Sequence, residues 1–442
     1  MHSRWTRARR RYAVVYAIAA LAIAALASAC TPAGRSGEAT SPPGAAETAA
    51  TGPAAEALGA GAAPRAVPGT PLVEGYTVGA AKVIGNLVVF PIYASVQEDL
   101  GEFTTLEAAL ERGTAVVREL APEPPPQGAA GPAPSTGNEQ DVARIQPDDP
   151  LQQQFQPQQA SQRQVAYRGD GAQVNTLAIE NKGDLPILVL AGTIVKGGKQ
   201  DRQIGQDFLV GARQTVPVDA FCIEHGRWTA TREGAATGGQ FTTTKVLANA
   251  QVRAAGQYEK DQGQVWSKVG EINRAHKKQT ASDTLVASVE DAGVVAQREA
   301  LGRDARAYLD GVEASDAVVG LAYAVDGKVR AVRWFMNRKI FLQHQETLVS
   351  TAALEAVTAQ VAAKAPGEPA APGAVAPEAV VRFVTEVQAG RQEERKTKAE
   401  NVNAYRFSNQ GYGSETLIDA APAAAGAPAK KPKSITRDFV AK

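Results

Sequence analysis

Two short stretches of the chain concentrate residue types that can do chemistry. The first, "GTIVKGGKQDRQIGQDFLVG" at 192–211, sets Lys199, Asp201 and Arg202 beside two adjacent glycines. The second, "DAFCIEHGRW" at 219–228, holds a thiol, a carboxylate and a guanidinium within a few positions. Lysine and arginine can grip an anion, and a carboxylate or thiolate can act as an acid, a base or a nucleophile.

The first stretch matches a phosphate-binding P-loop in part of its glycine spacing only. Gly192 and Gly197 have the required gap, but Gly198 stands where the lysine should be, and no hydroxyl follows Lys199. The Gly-x-Gly-x-x-Gly turn of dinucleotide-binding folds is absent from this stretch as well. The adjacent glycines instead predict a hairpin turn between two strands.

The second stretch admits a chemical and a structural interpretation. Strand alternation puts Cys222 and Glu224 on one face, and the thiol could be a nucleophile if His225 or Arg227 lowered its pKa. The structural interpretation makes Cys222 a small buried hydrophobe, Glu224 and Arg227 a local ion pair, and Trp228 a core residue. Both interpretations stay open at the level of sequence.

The two stretches together give one composite candidate site. Its catalytic candidates are Glu224, Asp201 and Cys222, and its ligand-binding candidates are Gly197, Gly198, Lys199, Arg202, Arg227 and Trp228. The sequence predicts neither a metal ion nor a cofactor, since it has four histidines and no Cys-x-x-Cys pair. His276 and His344, in polar helical contexts, are expected on exposed faces.

The first thirty residues predict targeting to the bacterial cell envelope. A basic segment with five arginines precedes the apolar run 13–27, and Leu-Ala-Ser-Ala-Cys ends at Cys30. This ending resembles a lipobox, the signal for lipidating a cysteine that becomes the mature N-terminus. We expect residues 1–29 to be removed and Cys30 to anchor the protein, with the outer membrane as the favoured location.

Composition limits the partners of the mature chain. Removing 29 of the 442 residues leaves 413, and losing the five leader arginines changes the formal charge from +1 to 1 − 5 = −4. A mildly acidic protein does not favour nucleic acid, which needs a basic surface. Cys222 would be the one cysteine besides the lipidated Cys30, so a disulfide framework is excluded. The partners predicted are the membrane and a small anionic ligand.

Composition also divides the chain. Residues 30–70 are rich in Ala, Gly and Pro and predict a flexible tether, and 71–420 are expected to form one globular domain. The Pro- and Gln-rich segment 121–164 predicts a disordered insertion within that domain, and the lysine-bearing end 421–442 a basic flexible tail.

Local patterns predict an α+β fold with a β-rich N-terminal half and packed helices in the C-terminal half. Strand patterns occupy 80–94 and dominate 164–228, and Asp326-Gly327 indicates a further hairpin. The first helix is expected to begin at the N-cap Thr104, with Glu107 as its capping-box partner and Gly113 past its end. Later helices are expected at 242–258, 262–277, 293–309, 337–364 and 377–390.

The two motifs together resemble a bacterial domain family. "AGTIVKGGKQDRQIGQDFLV" followed by "VPVDAFCIEHGRW", with the "TTLEAALERG" helix and the "VVGLAYAVDGK" hairpin, is similar to the ARG and Rhodanese-Phosphatase-superfamily Associated Protein domain. The resemblance covers about 72–418 and implies no established activity, only an association with ADP-ribose or another nucleotide-derived ligand. It also implies that Thr193 stands where relatives often carry an acidic residue.

Two functions of different classes follow. The first is a lipid-anchored, extracytoplasmic ligand-binding or interaction module whose site lies where Gly197–Arg202 approaches Cys222–Trp228. The alternative is a hydrolase or transferase acting on an ADP-ribose-like or other nucleotide or sugar-phosphate substrate. In that case Glu224, Asp201 or Cys222 would react while Lys199 and Arg202 hold the anion.

Overall fold

The structure, a computed structural model, describes residues 64–120, 175–232, 234–363, 375–418 and 432–442. The predicted leader, the lipidation site Cys30 and the insertion 121–164 lie outside the described residues.

Strands and helices come in blocks along the described chain. In chain order the strands are β1 Thr70–Val73, β2 Tyr76–Val78, β3 Lys82–Ile84, β4 Leu87–Ala94, β5 Thr104–Thr105, β6 Ala115–Glu119, β7 Thr176–Asn181, β8 Ile187–Val189, β9 Thr193–Gly197, β10 Arg202–Ile204, β11 Phe208–Val210, β12 Thr215–Cys222, β13 Thr231–Arg232, β14 Ala235–Ala236, β15 Phe241–Leu247, β16 Val318–Val325, β17 Lys328–Phe335, β18 Arg391–Lys396, β19 Asn401–Phe407, β20 Gly411–Ile418 and β21 Lys433–Ala441. The helices are α1 Leu106–Glu111, α2 Ala250–Arg253, which continues as a π-helical turn Ala254–Glu259, α3 Gln262–Ala275, α4 Val286–Val289, α5 Ala292–Gly311, α6 Arg338–Ala363 and α7 Pro377–Gln388, with a 3-10 turn at Ser315–Ala317.

The largest layer is a ten-stranded antiparallel sheet. Its order is β1-β2-β4-β16-β17-β21-β20-β19-β18, with β3 paired to β4. Buried strands β4 and β16 alternate their apolar side chains between the two faces. One face packs against α5 and α6 through residues such as Leu321 and Phe341, and the other packs against α7 through Val384 and Val387.

The smaller layer carries the two candidate stretches. It is a six-stranded sheet of order β15-β9-β10-β12-β7-β6, whose edge strands β6 and β15 contact each other, so that the sheet curls around its own apolar core. Helices α2, α3 and α4 cover its outside through Ile194, Phe221 and Ile223. A three-stranded sheet, β11-β8-β5, lies beside it.

The predicted α+β class is confirmed, with a β-rich N-terminal half and helices in the C-terminal half. The helices expected at 262–277, 293–309, 337–364 and 377–390 are found as α3, α5, α6 and α7. The hairpin at Asp326-Gly327 is also present, with both residues at positive φ.

Several local expectations are wrong. The predicted helix 242–258 is a strand over its first half, because β15 pairs with β9 and completes the curled sheet. The cap of α1 is Thr105, whose side chain accepts a hydrogen bond from Ala108 N, so Thr104 and Glu107 form no capping box. Gly113 does follow the helix, with φ +68°.

The C-terminal end and the two helical histidines also differ from expectation. Much of the predicted flexible tail is β21, which inserts between β17 and β20 in the large sheet. Lys433 begins this strand and Lys442 follows it, and the centre of the strand is buried. His344 is buried and stacks on Phe335, and His276 is buried with its Nε2 2.9 Å from Thr358 Oγ1, so neither lies on an exposed face.

Candidate functional site

The first candidate stretch forms the hairpin that its glycines predict. Strands β9 and β10 pair antiparallel with Arg202 opposite Val195, and residues 198–201 form the turn. Gly197 has φ +133°, and a side chain there would meet the carbonyl oxygen of Gln240 at 2.2 Å. Gly198 has φ +45°, and a side chain there would meet the ring of Phe241 at 2.2 Å. Glycine is required at both positions, because the start of β15 packs against the turn and leaves no room for a Cβ atom.

The turn buries the carboxylate of Asp201. Oδ1 accepts hydrogen bonds from Gly197 N at 3.0 Å and Arg232 Nη1 at 2.8 Å, and Oδ2 accepts one from Thr284 Oγ1 at 2.7 Å. Its own amide donates to Glu224 Oε2 at 2.8 Å. The two carboxylates predicted as catalytic candidates therefore lie in one network.

Arg227 ties the second stretch to the first. Its Nε and Nη2 donate to the two oxygens of Glu224 at 2.8 and 2.7 Å, which is a bidentate pair. Its Nη1 also donates to Gly198 O at 2.9 Å, and Nη2 to Gly197 O at 3.2 Å. The local ion pair predicted for Glu224 and Arg227 is present, its side chains are 1% and 9% exposed, and it also fixes the turn.

The same surroundings shift the pKa values of Asp201 and Glu224 in opposite directions. Burial raises the pKa of Asp201, and the neighbouring charge of Glu224 raises it further. Burial alone would also raise the pKa of Glu224, but hydrogen bonds from Arg227, Ser282 and the Asp201 amide outweigh it and hold the pKa below its usual value. Asp201 is therefore the one of the two that holds a proton more readily.

Arg202 lies fully buried at the mouth of the curled sheet. Its Nη1 donates to Gln200 O at 3.0 Å, and its Nη2 lies 3.7 Å from Glu119 Oε2. Within the described part of the chain, Arg202 Nε and Nη2 have no hydrogen-bond partner. Two cations lie over the ring of Trp228: Lys199 Nζ is 5.4 Å from the ring centroid, and the Arg202 guanidinium carbon is 5.5 Å from it.

Cys222 ends β12 with its side chain buried. The carboxamide of Gln262, at the start of α3, accepts from Cys222 N at 2.9 Å and donates to Cys222 O at 2.7 Å. A buried thiol on a strand held in this way agrees with the structural interpretation of Cys222.

The structure thus brings the predicted residues of both stretches into one neighbourhood, and it adds residues that the sequence did not suggest. These are Gln200, which lies within the first stretch, and Glu119, Arg232, Ser282 and Thr284, which lie outside both stretches. Arg232 and Thr284 lie in no recognisable motif. The one reason to expect them here is that the buried carboxylate of Asp201 needs hydrogen-bond donors around it. Thr193 lies at the other end of β9, where it lines a cavity of about 30 Å³ with His344.

A second buried ionic cluster connects the ten-stranded sheet with α2 and with the segment between β10 and β11. Arg333 of β17 lies 3.2 Å from Asp207 and 3.0 Å from Asp438, and Arg253 of α2 lies 3.1 Å from Asp438. Asp207 also accepts hydrogen bonds from Ala191 N and Thr416 Oγ1. All four charged side chains are at most 5% exposed. This cluster holds β21 to the helices and strands that support the hairpin.

Comparison with known proteins gives one match. In the same comparisons, no curated protein and no solved structure matched the chain. The sequence model of the ARG and Rhodanese-Phosphatase-superfamily-associated Protein domain matches residues 75–423, which is more than half of the chain and includes both candidate stretches. The chain therefore belongs to the ARG and Rhodanese-Phosphatase-superfamily-associated Protein domain family.

Proposed function

We propose that this protein is an extracytoplasmic ligand-binding or interaction module, held at the cell envelope by a lipid on Cys30. The anchor rests on the leader and the Leu-Ala-Ser-Ala-Cys ending, both outside the described residues. None of the helices in the described ranges combines the length and apolar character needed to cross a bilayer. Radiolabelled palmitate incorporated into the wild-type chain but not into Cys30→Ala would support the anchor, and equal labelling would refute it.

The ligand site of this proposal is the hairpin turn with the strand end at Arg227 and Trp228. The observation that carries it is Arg202, a buried guanidinium with two nitrogens that lack a hydrogen-bond partner among the described residues. A buried hydrogen-bond donor without an acceptor is costly, and an oxyanion beside Arg202 supplies acceptors for these two nitrogens. Trp228 offers an aromatic surface beside the same guanidinium.

Entry of an anion requires a local change at Glu119. This residue ends β6, its side chain is 15% exposed, and its Oε2 is 3.7 Å from Arg202 Nη2, too far for a hydrogen bond. An outward rotation of the carboxylate breaks its ion pair with Arg202 and the hydrogen bond that its Oε1 accepts from Lys199 N at 3.1 Å, and an oxyanion that takes its place offers acceptors to both partners.

The remaining charged groups support binding by fixing the turn. Glu224 accepts from Arg227 on both oxygens and from Asp201 N, and Arg227 also holds the carbonyls of Gly197 and Gly198. A turn held in this way is preorganised, which lowers the entropy cost of binding.

One observation favours the alternative, a hydrolase or transferase acting on an ADP-ribose-like or sugar-phosphate substrate. Adjacent carboxyl groups whose pKa values are shifted in opposite directions, as for Asp201 and Glu224, are typical of an acid and base pair. Both groups are buried, and Glu224 has its oxygens occupied, so we rank this function second.

Calorimetric titration of the full chain in detergent with ADP-ribose, and separately with pyrophosphate, tests the proposal. Arg202→Met should weaken binding by roughly ten- to hundredfold, since it removes a charge-assisted contact. Arg213→Met is the matched control, because Arg213 pairs with Asp184 at the surface, where both side chains are more than 60% exposed. Equal affinity in Arg202→Met, or no binding by the wild type, would reject this site.

Product analysis separates the two functions. The binding proposal expects ADP-ribose to be recovered intact after long incubation. Turnover that disappears in a folded Glu224→Gln variant would establish the alternative.

A further inference from the structure

A separate cavity of about 260 Å³ lies on the face of the ten-stranded sheet that α7 covers, beside the end of that helix. It is lined by Gln388 of α7 and by residues of β19, β20 and β21, among them Arg406, Glu415, Arg437 and Phe439. The hairpin site belongs to the other sheet, so the two places share no residue.

Small residues in the strands create this space. Ala404, Glu415 and Arg437 form one row across β19, β20 and β21, and Arg406, Gly413 and Phe439 form the next. Residues directly opposite in antiparallel strands share a face. Ala404 and Gly413 therefore leave room between the larger side chains of the two rows.

The end of α7 leaves the space uncovered. Val384 and Val387 pack on the sheet, and a side chain at Gly413 would meet Val387 at 3.1 Å, so the helix lies close at that point. The helix ends at Gln388, and beyond it the sheet presents arginines and a glutamate to the cavity.

The two arginines differ in their partners. Arg437 donates to Glu415 Oε1 from Nε at 2.9 Å, and its guanidinium carbon lies 6.0 Å from the centroid of the Trp334 ring. Arg406 has a buried Nη1 without a hydrogen-bond partner, and no ion pair joins Arg406 to any residue of the described ranges. The lining thus contains two cations, Arg406 and Arg437, and one carboxylate, Glu415. The Arg406 guanidinium has a buried N–H donor without an acceptor.

We propose that this cavity binds a small organic oxyanion, a carboxylate or a phosphate monoester, with Arg406 as its anchor. Arg437 adds a second positive charge, and the Gln388 carboxamide can donate a hydrogen bond to a ligand oxygen. The volume is below the range of about 300–1,000 Å³ typical of sites for drug-sized ligands, so a nucleotide such as ADP-ribose is too large.

Thermal unfolding and calorimetry on the full chain in detergent test this site with inorganic phosphate, glycerol 3-phosphate and succinate as probes. We expect saturable binding of succinate or glycerol 3-phosphate, and the probe that binds more tightly identifies the class of oxyanion. Arg406→Gln should weaken that binding by roughly tenfold or more. Ala404→Met should weaken it as well, because it fills the cavity and leaves every charge in place.

Two controls separate this site from the hairpin. Arg391→Gln alters an exposed cation of β18 and should leave binding of the probe unchanged. Arg202→Met should also leave it unchanged, so a failure of the hairpin proposal does not affect this one. No saturable binding of any probe to the wild type, or wild-type affinity in both Arg406→Gln and Ala404→Met, would overturn the proposal.

Discussion

Replacing Asp438 with Asn should destabilise the fold strongly, because two buried arginines depend on its charge. Arg253 Nη2 and Arg333 Nη2 lie 3.1 and 3.0 Å from Asp438 Oδ2. Asn keeps the shape but leaves Asp207 as the one carboxylate of the cluster, and of the two arginines Asp207 pairs with Arg333. Breaking a buried ion pair from one side costs about 3–5 kcal/mol, so we expect a loss of that size in the free energy of unfolding.

Urea unfolding followed by tryptophan fluorescence measures this loss. Trp334 stacks on Phe439, the residue after Asp438, at 5.3 Å between ring centroids and so reports on β21. The control is Asp184→Asn, whose partner Arg213 is exposed, and it should change the free energy of unfolding by about 1 kcal/mol or less.

A double variant isolates the charge. Arg253→Met added to Asp438→Asn restores one cation to one anion in the cluster, so we expect it to recover at least ~1 kcal/mol of the single-variant loss. A loss below about 1 kcal/mol for Asp438→Asn, or no recovery in the double variant, would refute the view that charge balance holds β21 in place.

Two further predictions concern the turn and a buried histidine. Gly197→Ala should lower the free energy of unfolding by about 1–3 kcal/mol through backbone strain, and by more through the clash with Gln240 O. The control Gly113→Ala, which has a positive φ but open space around it, should lower it by about 1 kcal/mol. Thermal unfolding measures both losses, and equal losses would contradict the steric argument. Burial, with the nearby charge of Arg333, lowers the pKa of His344 to about 3, so the folded state binds fewer protons than the unfolded chain below pH ~6.5. Relative to His344→Phe, the wild type should therefore lose up to ~1.4 kcal/mol of unfolding free energy per pH unit between pH ~6.5 and about 3, and parallel pH profiles would contradict it.

The hairpin and most helices could be predicted because their signals are local. Two adjacent glycines, an Asp-Gly pair and apolar residues at helical spacing each specify a backbone conformation without distant partners. The segment 242–258 shows the limit of this reasoning. Val246 and Leu247 suit either a helix or a strand, and the pairing of Phe241 with Gly197 decides the outcome through a contact that the sequence does not display.

The buried charges could not be predicted for a similar reason. A charged residue is taken as exposed unless its partner is known, and the partners here are far apart in sequence: Asp201 meets Thr284, and Arg253 meets Asp438. The same default led to a flexible tail at 421–442, since its lysines were taken as a solvated end, whereas Asp438 is buried in β21. The resemblance to a family suggested that the two motifs belong to one site. The contacts between them became visible only in the folded structure.

Asp201 gives the sharpest separation between the two functions. Glu224 is bonded on both oxygens and held ionised, so any acid in this network has to be Asp201, whose pKa is raised by burial. If the protein is an enzyme, turnover should fall as pH rises through the pKa of Asp201, and a folded Asp201→Asn variant should be inactive with substrate binding retained.

If the protein only binds, Asp201→Asn should act by loosening the turn. Asn keeps one oxygen that can accept from Gly197 N, but it loses the negative charge that faces Arg232, so the turn should loosen and the affinity for an anion should fall together with the melting temperature. The raised pKa adds a signature: because the folded state then binds more protons than the unfolded chain, this group's contribution to stability is largest at low pH and declines as pH rises past about 4. If anion affinity and stability are the same in Asp201→Asn as in the wild type, the network around the hairpin serves neither function.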